Sequence, residues 1–368
     1  MSFANIIVIL IYILLIIANY NAYKQGKDSY ALSVLTGIVA TLLLFSSNVA
    51  SFDWSETELD LSGYRTIYEQ YDVLEHPDFN MYFIFYGIMY LCQNMGMSFF
   101  TWWAVMSIIG MSVIAIACRV HKFNYNLFLA SFMAYYEFAY YSGFKFFYGF
   151  CFFLLAYGFL LRDEKFAKLK YILFLLIACG FHSMYYYFFL FLIRPKKNPK
   201  YFVGAIAIAS VIFTILIRLS GSAMSFLAPF FNMLDNEHIN KYTVLNVNLG
   251  FYLPIFLQVV MIYIAVKIRR YRDFVGLPKQ ATDALYYTSI LSLVFCPFYA
   301  LALTFSRLQS AFSLVLITAN SIHVTSRAGR TLNTNMSILM VAAFWLNIIV
   351  SGLQGFIGHS VIPFFDIF

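Results

Sequence analysis

Long apolar runs alternate with short polar segments along the whole chain, and each run has about the length that crosses a lipid bilayer. A bilayer core about 30 Å thick is crossed by a helix of roughly 20 apolar residues. The pattern predicts helical spans at 3–19, 31–50, 98–118, 125–141, 146–161, 201–217, 249–266, 284–304, 308–323 and 336–352. We therefore expect an all-α, polytopic integral membrane helical bundle of about 10 to 12 transmembrane helices, with 1–368 as a single transmembrane domain.

The composition supports this class of protein. Hydrophobic residues make up 62% of the chain, charged residues make up 11%, and the mean hydropathy is +0.76, which is more apolar than a water-soluble fold allows. The first run, FANIIVILIYILLIIA, has no Lys or Arg before it and no cleavage site after it, so we expect a retained span. The five cysteines form no CxxC pair and no Cys/His cluster, so we expect no disulfide, no metal and no cofactor.

Basic residues concentrate in short loops between the apolar runs. The net charge is +7 and the pI is near 9.0, but this placement is typical of topology signals, so nucleic acid is not expected as a partner. The largest basic loops are 162–170, 194–200 and 267–273. The positive-inside rule predicts that these loops are cytoplasmic, which puts both chain termini on the outer side.

Two apolar segments do not fit as simple spans. Segment 171–193 has basic loops on both sides, so both of its ends belong on the cytoplasmic face. A break at GFHS gives two limbs of roughly eleven residues, about 16 Å each, with His182 at the tip of a re-entrant hairpin. The alternative is one 23-residue span with a core histidine, in which case 201–217 would not cross. Segment 81–95 follows an outer loop and precedes a span that ends at basic residues, so it is expected not to cross fully.

Several basic residues remain on the predicted outer side, against the charge bias. They are Arg65, Lys145, Arg218, Lys241 and Arg307. Cations near membrane depth normally pair with another group. Either each one reaches lipid phosphates separately, or several converge on one cavity and bind a polyanion such as a lipid-linked diphosphate.

The two long outer loops offer further candidates. Loop 51–80 carries eight carboxylates with several aromatic residues, which suits sugar rings but also a solvated, partly helical loop. The second outer loop, 218–248, has a polar tip in which His238 is an acid/base candidate by residue type, together with two neighbouring carboxylates. Glu137 is a candidate contact, or a structural partner of a nearby cation.

An ordered set of short motifs carries a family resemblance. Asp60, Tyr64 and Tyr68 form a D-x3-Y-x3-Y pattern, YYEFAYYSGFK opens a span, and IACGFHS follows 37 residues after its lysine. Arg307 then lies between late spans, and the chain ends in VIPFFDIF. With these features the chain resembles the EpsG-like, Wzy-type polymerases of bacterial exopolysaccharide, capsule and O-antigen repeat units. One departure is that the family usually has Arg-Gln where this chain has Lys145-Phe146, and lysine lacks the planar fork of guanidinium.

The resemblance implies a glycosyltransferase of the bacterial cytoplasmic membrane. It would move a growing chain from undecaprenyl diphosphate to a hydroxyl of the next lipid-linked repeat unit, on the outer face. The implied partners are these lipid-linked oligosaccharides and the bilayer, together with a chain-length regulator and a flippase. Such a reaction needs cations for the departing diphosphate and a positioned group at the acceptor hydroxyl.

Roles follow for the candidate residues. We expect Arg307 to bind the diphosphate, helped by Lys145, Arg65 or Arg218. His182 is expected to act as a base or as an orienting hydrogen-bond donor. The remaining candidate contacts for substrate are Asp60, Tyr64, Glu137 and His238.

Two other functions stay open at this point. A flippase or transporter for the same lipid-linked sugars also needs about a dozen helices and cations in a cavity, but paired broken helices would favour it, and only GFHS is a convincing break. A membrane acyltransferase that uses His182 to modify the polysaccharide is the other alternative.

Overall fold

The computed structural model describes residues 3–50, 60–70, 72–75, 79–135, 143–193, 199–219, 252–275, 277–301, 305–322 and 324–356. In these ranges the secondary structure is helical, without a strand, so the all-α prediction is confirmed. Helices satisfy most of their backbone hydrogen bonds within their own segment, which is what a bilayer demands.

The helices, in chain order, are α1 (Phe3–Gln25), α2 (Tyr30–Ala50), α3 (Asp60–Gln70), α4 (Phe83–Asn94), α5 (Phe99–His121), α6 (Tyr125–Ala134), α7 (Gly143–Leu160), α8 (Ala167–Phe181), α9 (Pro199–Leu219), α10 (Tyr252–Arg270), α11 (Arg272–Val275), α12 (Lys279–Leu291), α13 (Cys296–Leu301), α14 (Ser306–Ala319) and α15 (Arg327–Phe356). A ten-residue 3₁₀ helix, Ser183–Leu192, follows α8 and is called the return limb below. Shorter 3₁₀ turns lie at Val73–Glu75 and Ser292–Phe295.

Within the described ranges, α1, α5 and α10 are each long and apolar enough to cross a membrane alone, and shorter apolar stretches lie in α2, α6, α7, the return limb and α9. The span predicted at 284–304 is interrupted, because the 3₁₀ turn Ser292–Phe295 separates α12 from α13. Pro297 lies at the start of α13, and a proline there disfavours a regular helix through the residues before it.

Loops that carry the basic residues meet at one end of the bundle, called the basic end below. The backbone amide of Asn124 donates to Ser321 Oγ at 2.8 Å, and its side-chain amide donates to Asp28 Oδ1 at 2.7 Å. In the neighbouring loops, Gln280 Nε2 donates to the carbonyl of Arg162 at 2.7 Å. The guanidinium of Arg162 also donates to the carbonyl of Val120, close to Asn124 in the chain. These bonds place loops from five parts of the chain together, as the charge pattern predicts. The opposite end is called the far end.

The segment after α8 folds back as a hairpin. At His182 the backbone is extended, with φ −153° and ψ 124°, so the α-helix ends there. Tyr171 Oη then donates to the carbonyl of Phe188 at 2.5 Å, although a straight segment would separate these residues by more than about 25 Å. The hairpin prediction is therefore confirmed against a single 23-residue span. Its first limb is longer than expected, since α8 has 15 residues, about 22 Å of helix.

The return limb runs beside α7 toward the basic end. Near the tip, Tyr185 Oη donates to the carbonyl of Phe146 at 2.8 Å, and further along the ring of Phe191 lies 6.1 Å from the ring of Tyr157. The two elements therefore share a direction. Gly149 makes the close approach possible, because a Cβ there would lie 2.3 Å from the Tyr185 ring.

Helix α4 lies at the far end and is too short to cross the membrane. It has 12 residues, about 18 Å of helix. Beside its C-terminal end, Gln93 Nε2 donates to the carbonyl of Tyr68 in α3, and Tyr68 Oη donates to the carbonyl of Met97, both at 2.8 Å. The expectation that 81–95 does not cross fully is confirmed.

Replacing Gly149 with alanine is expected to destabilise the protein by about 1–3 kcal/mol, because the new methyl group displaces the Tyr185 ring and so separates the return limb from α7. Thermal unfolding of the purified protein in detergent would show a lower midpoint. Gly204→Ala in α9 is the matched control, since nothing lies within 4 Å of a Cβ there. Equal midpoints for both variants would contradict the packing described.

Single cysteines at Phe166 and Ile193 are expected to react with a membrane-impermeant maleimide from the same side, because the hairpin begins and ends at the basic end. A cysteine at Asn94, at the far end, should react only from the opposite side. The native cysteines are all buried, so their background labelling should be low. Labelling of positions 193 and 94 from one side would contradict the hairpin.

Candidate functional site at the far end

Lys145 lies in the first turn of α7 and is enclosed by aromatic rings from α3 and α4. Its Nζ donates to Tyr86 Oη at 3.2 Å. The same Nζ lies 4.0 Å from the ring centroid of Tyr82 and 5.3 Å from that of Tyr64. Ring faces attract a cation through their quadrupole, so the three tyrosines stabilise the half-buried charge. We call Lys145 with Tyr64, Tyr82 and Tyr86 the tyrosine cage.

His182, at the tip of the hairpin, contacts this cage. Its ring lies 5.3 Å from the Tyr82 ring and 5.2 Å from the Phe146 ring. Helix α4 can cover the hairpin because residue 180 is glycine, where a Cβ would lie 2.5 Å from Ile84. The end of α8 therefore brings the imidazole of His182 against Tyr82, which also contacts Lys145, 37 residues earlier in the chain.

The hydrogen bonding of His182 defines the state of its ring. Nδ1 accepts a hydrogen bond from the backbone amide of Met184 at 3.2 Å, which caps the return limb. A nitrogen that accepts carries no proton, so the ring is the neutral tautomer with its proton on Nε2. In this arrangement Nε2 is a hydrogen-bond donor.

The tyrosine pattern of α3 contributes one member of the cage. Asp60, Tyr64 and Tyr68 are four residues apart and so share one helix face. Tyr64 and Tyr68 are both buried against the bundle, and only Tyr64 reaches Lys145. Asp60 is the first residue of α3, and its side chain lies outside the described part.

Sequence reasoning missed two cage residues, Tyr82 and Tyr86, although both lie in a segment singled out as short. Their spacing of four residues matches that of the tyrosines on α3. Two tyrosine pairs, each at helical spacing and 14 residues apart along the chain, are the signal that indicates facing aromatic surfaces.

Arg307 is the second residue of α14, and the chain just before α14 packs against aromatic residues of the return limb. The preceding Phe305 packs edge-on against Tyr187 of the return limb, with ring centroids 6.0 Å apart. Tyr187 is five residues after His182, about 10 Å along a 3₁₀ axis. Within the described residues, the half-buried guanidinium of Arg307 has no ion pair, and the N-terminus of α14 adds positive potential.

The other predicted site residues are placed differently. Arg65 forms an ion pair with Glu69 at 2.8 Å and lies over the ring of Phe100, so its charge is engaged on α3. Arg218 is near the end of α9, and its side chain lies outside the described part of the structure. Three further candidates lie outside the described residues: Glu137, His238 and Lys241.

The cage and the hairpin tip present one amine, one imidazole and several phenols, and Arg307 presents a guanidinium at the start of α14. Among the described residues, no three His, Cys, Asp or Glu side chains cluster as metal ligands. The arrangement can attract an anion and offer hydrogen-bond donors and aromatic faces to a hydroxyl-rich ligand.

Together these features define a polytopic helical membrane protein with a hairpin that carries a histidine to a caged lysine. A family model for the EpsG family matches residues 36–364, which include the tyrosine cage, the hairpin and Arg307. The chain belongs to the EpsG family, and it is accordingly a membrane protein related to exopolysaccharide biosynthesis. The resemblance seen in the motifs is thereby confirmed. No curated protein and no solved structure matches the chain.

Proposed function

We propose that the protein is a polymerase that joins lipid-linked oligosaccharide repeat units on the outer face of the cytoplasmic membrane. The observation that carries this proposal is the half-buried Lys145, enclosed by tyrosines and linked through Tyr82 to His182, in a chain of the EpsG family. In the reaction, the bond between the sugar's anomeric carbon and the undecaprenyl diphosphate breaks, and its electrons leave with the diphosphate. A bond to the acceptor oxygen forms, and the acceptor proton is released.

Positive charge is the first requirement of this chemistry. The departing diphosphate gains charge in the transition state, and fixed cations in a site sheltered from water stabilise it strongly. Lys145 supplies a point charge, and Arg307 supplies a guanidinium that can bind two phosphate oxygens at once. Phe305 and Tyr187 link the start of α14 to the hairpin that carries His182, which supports a shared site.

The tyrosine rings suit the sugar part of the substrate. Sugar rings present apolar CH faces and many hydroxyls, and tyrosine offers both a ring face and a hydroxyl. Tyr82 precedes the first residue of α4 and Tyr86 lies within it, at the far end where the chemistry is proposed. In this proposal α3 and α4 bind the oligosaccharide while the cations bind the diphosphate.

His182 is proposed to act as a donor. The sequence left open whether it is a base or an orienting donor, and its Nδ1 is already occupied by the Met184 amide. The Nε2 proton can then be donated to a phosphate or sugar oxygen. A base role would need the opposite tautomer and the loss of this cap.

Replacing Arg307 with alanine is expected to lower long-chain surface polysaccharide by at least about 100-fold, because one stabilised charge is lost from the departing diphosphate. The measurement is the polysaccharide size distribution in a strain that lacks the gene and is complemented at matched membrane levels. Arg327→Ala is the matched control, since Arg327 is exposed at the basic end.

The same experiment separates the alternatives. Single repeat units on their lipid at the outer face support the polymerase. Units retained on the cytoplasmic face indicate a flippase, and full-length chains that lack an acyl group indicate an acyltransferase. Normal chains with Arg307→Ala would remove Arg307 from the site.

A further inference from the structure

A groove of about 1090 Å³ opens on the side of the bundle between α2 and α5, at the basic end. The two helices run in opposite directions, and each contributes one face at helical spacing. The residues along these faces are Tyr30, Val34, Ile38 and Leu42 from α2, and Ile108, Ser112, Ile116 and Arg119 from α5. The turn between α5 and α6 closes the floor.

The length and walls of the groove match one leaflet of a bilayer. From Tyr30 to Leu42 the α2 wall covers about 18 Å, and half of a bilayer core is about 15 Å. The wall side chains are apolar and open to the outside, for example Ile38 at 51% and Ile108 at 58% exposed. The groove therefore offers an apolar track for a chain that enters from the basic end.

The mouth of the groove is polar and carries both signs of charge. Arg119, in the last turn of α5, is exposed there, and Asp28 is held by a 2.7 Å hydrogen bond from Asn124 Nδ2 to its Oδ1. Among the described residues, neither Arg119 nor Asp28 forms an ion pair. Tyr30 is 85% exposed beside them, as is typical of a membrane-interface tyrosine.

The floor shows that the groove is a packed feature and not a gap between loose helices. A Cβ at Gly37 would lie 3.3 Å from the hydroxyl of Tyr125, so the glycine lets this tyrosine close the floor against α2. Behind it, Asn126 Nδ2 donates to Asn19 Oδ1 at 2.8 Å, and Asn19 Nδ2 donates to Thr36 Oγ1 at 2.8 Å. These bonds fix α2 against α1 and α6 along the groove.

We propose that this groove is a binding site for a phospholipid of the leaflet at the basic end, with phosphatidylethanolamine as the preferred lipid. The phosphate binds Arg119, the ammonium group binds Asp28, and one acyl chain lies between α2 and α5. A headgroup with both charges matches a mouth with one cation and one carboxylate, whereas a purely anionic headgroup is repelled by Asp28. The site is at the opposite end from the tyrosine cage and does not depend on the proposed catalysis.

The test is native mass spectrometry of the purified full-length protein after equilibration with equal amounts of phosphatidylethanolamine and phosphatidylglycerol. The wild type is expected to retain one lipid, mainly phosphatidylethanolamine. Arg119→Gln should lower retention of both lipids about fivefold, since one interfacial cation is lost. Asp28→Asn keeps the acceptor for Asn124 and should retain lipid without preferring phosphatidylethanolamine. Lys279→Gln, an exposed cation at the same end, is the control.

A second variant tests the apolar wall of the groove without changing the charges at its mouth. Ser112→Trp, at an exposed wall position, should fill the groove and lower lipid retention while both headgroup charges remain. Wild-type retention in both Arg119→Gln and Ser112→Trp would overturn the proposal. So would equal binding of the two phospholipids by the wild type, or retention of a prenyl lipid instead of a phospholipid.

Discussion

Replacing Lys145 with glutamine is expected to lower polymer formation by at least about 100-fold, with the protein still in the membrane at its normal level. The lysine is half-buried, and its Nζ has ring faces at 4.0 and 5.3 Å and a phenol oxygen at 3.2 Å. Glutamine has similar length and retains donors, but it removes the charge that the diphosphate needs. The measurement is the polymer yield per unit of protein in isolated membranes supplied with lipid-linked repeat units.

A second substitution distinguishes the effect of the charge of Lys145 from the effect of its shape. Lys145→Arg keeps a cation that stacks well on aromatic rings, so it is expected to retain most of the activity. Lys168→Gln removes an exposed cation at the basic end and should have no effect. An active Lys145→Gln protein would mean that the cage stabilises the fold and takes no part in the reaction.

Substitutions at His182 are expected to differ in activity and stability, according to which ring nitrogen the new side chain replaces. His182→Gln places an amide N–H near the position of Nε2 and should keep activity within about tenfold of wild type. His182→Asn can replace only the cap on the Met184 amide, and so it should give a stable protein with activity lower by about 100-fold. His182→Ala should lose both the cap and the activity.

Polymer yield and thermal stability, measured together on these variants, separate the possible roles. If the asparagine variant were as active as the glutamine variant, His182 would be a structural cap only. If glutamine were as inactive as alanine while remaining folded, the base role would be favoured over the donor role.

The hairpin was predictable because segment 171–193 is long enough for one span, whereas the basic loops on both sides of it place its two ends on the same face. Basic loops on both sides of 171–193 require the chain to return, and GFHS is the one polar interruption within it. The form of the return was not predictable. Ten residues of 3₁₀ helix are unusual, and they depend on packing such as that of Tyr185 against Gly149, which the sequence does not reveal.

The cage was only partly predictable, because an apolar membrane segment hides its own orientation. A helix that faces lipid on one side and protein on the other is apolar all round, so no amphipathic pattern shows which face points inward. Tyr82 and Tyr86 were therefore missed, while Tyr64 was found through a motif. Arg65 is the converse case, because the sequence does not reveal that Glu69 on the same helix forms an ion pair with it.

The most direct test of the central claim is reconstitution of the purified protein in liposomes with radiolabelled lipid-linked repeat units, followed by sizing of the products. The account predicts chains of several units and one released undecaprenyl diphosphate per bond formed, with both lost in Lys145→Gln and retained in Lys145→Arg. Movement of intact lipid-linked units across the bilayer without chain growth would contradict a polymerase and indicate a flippase.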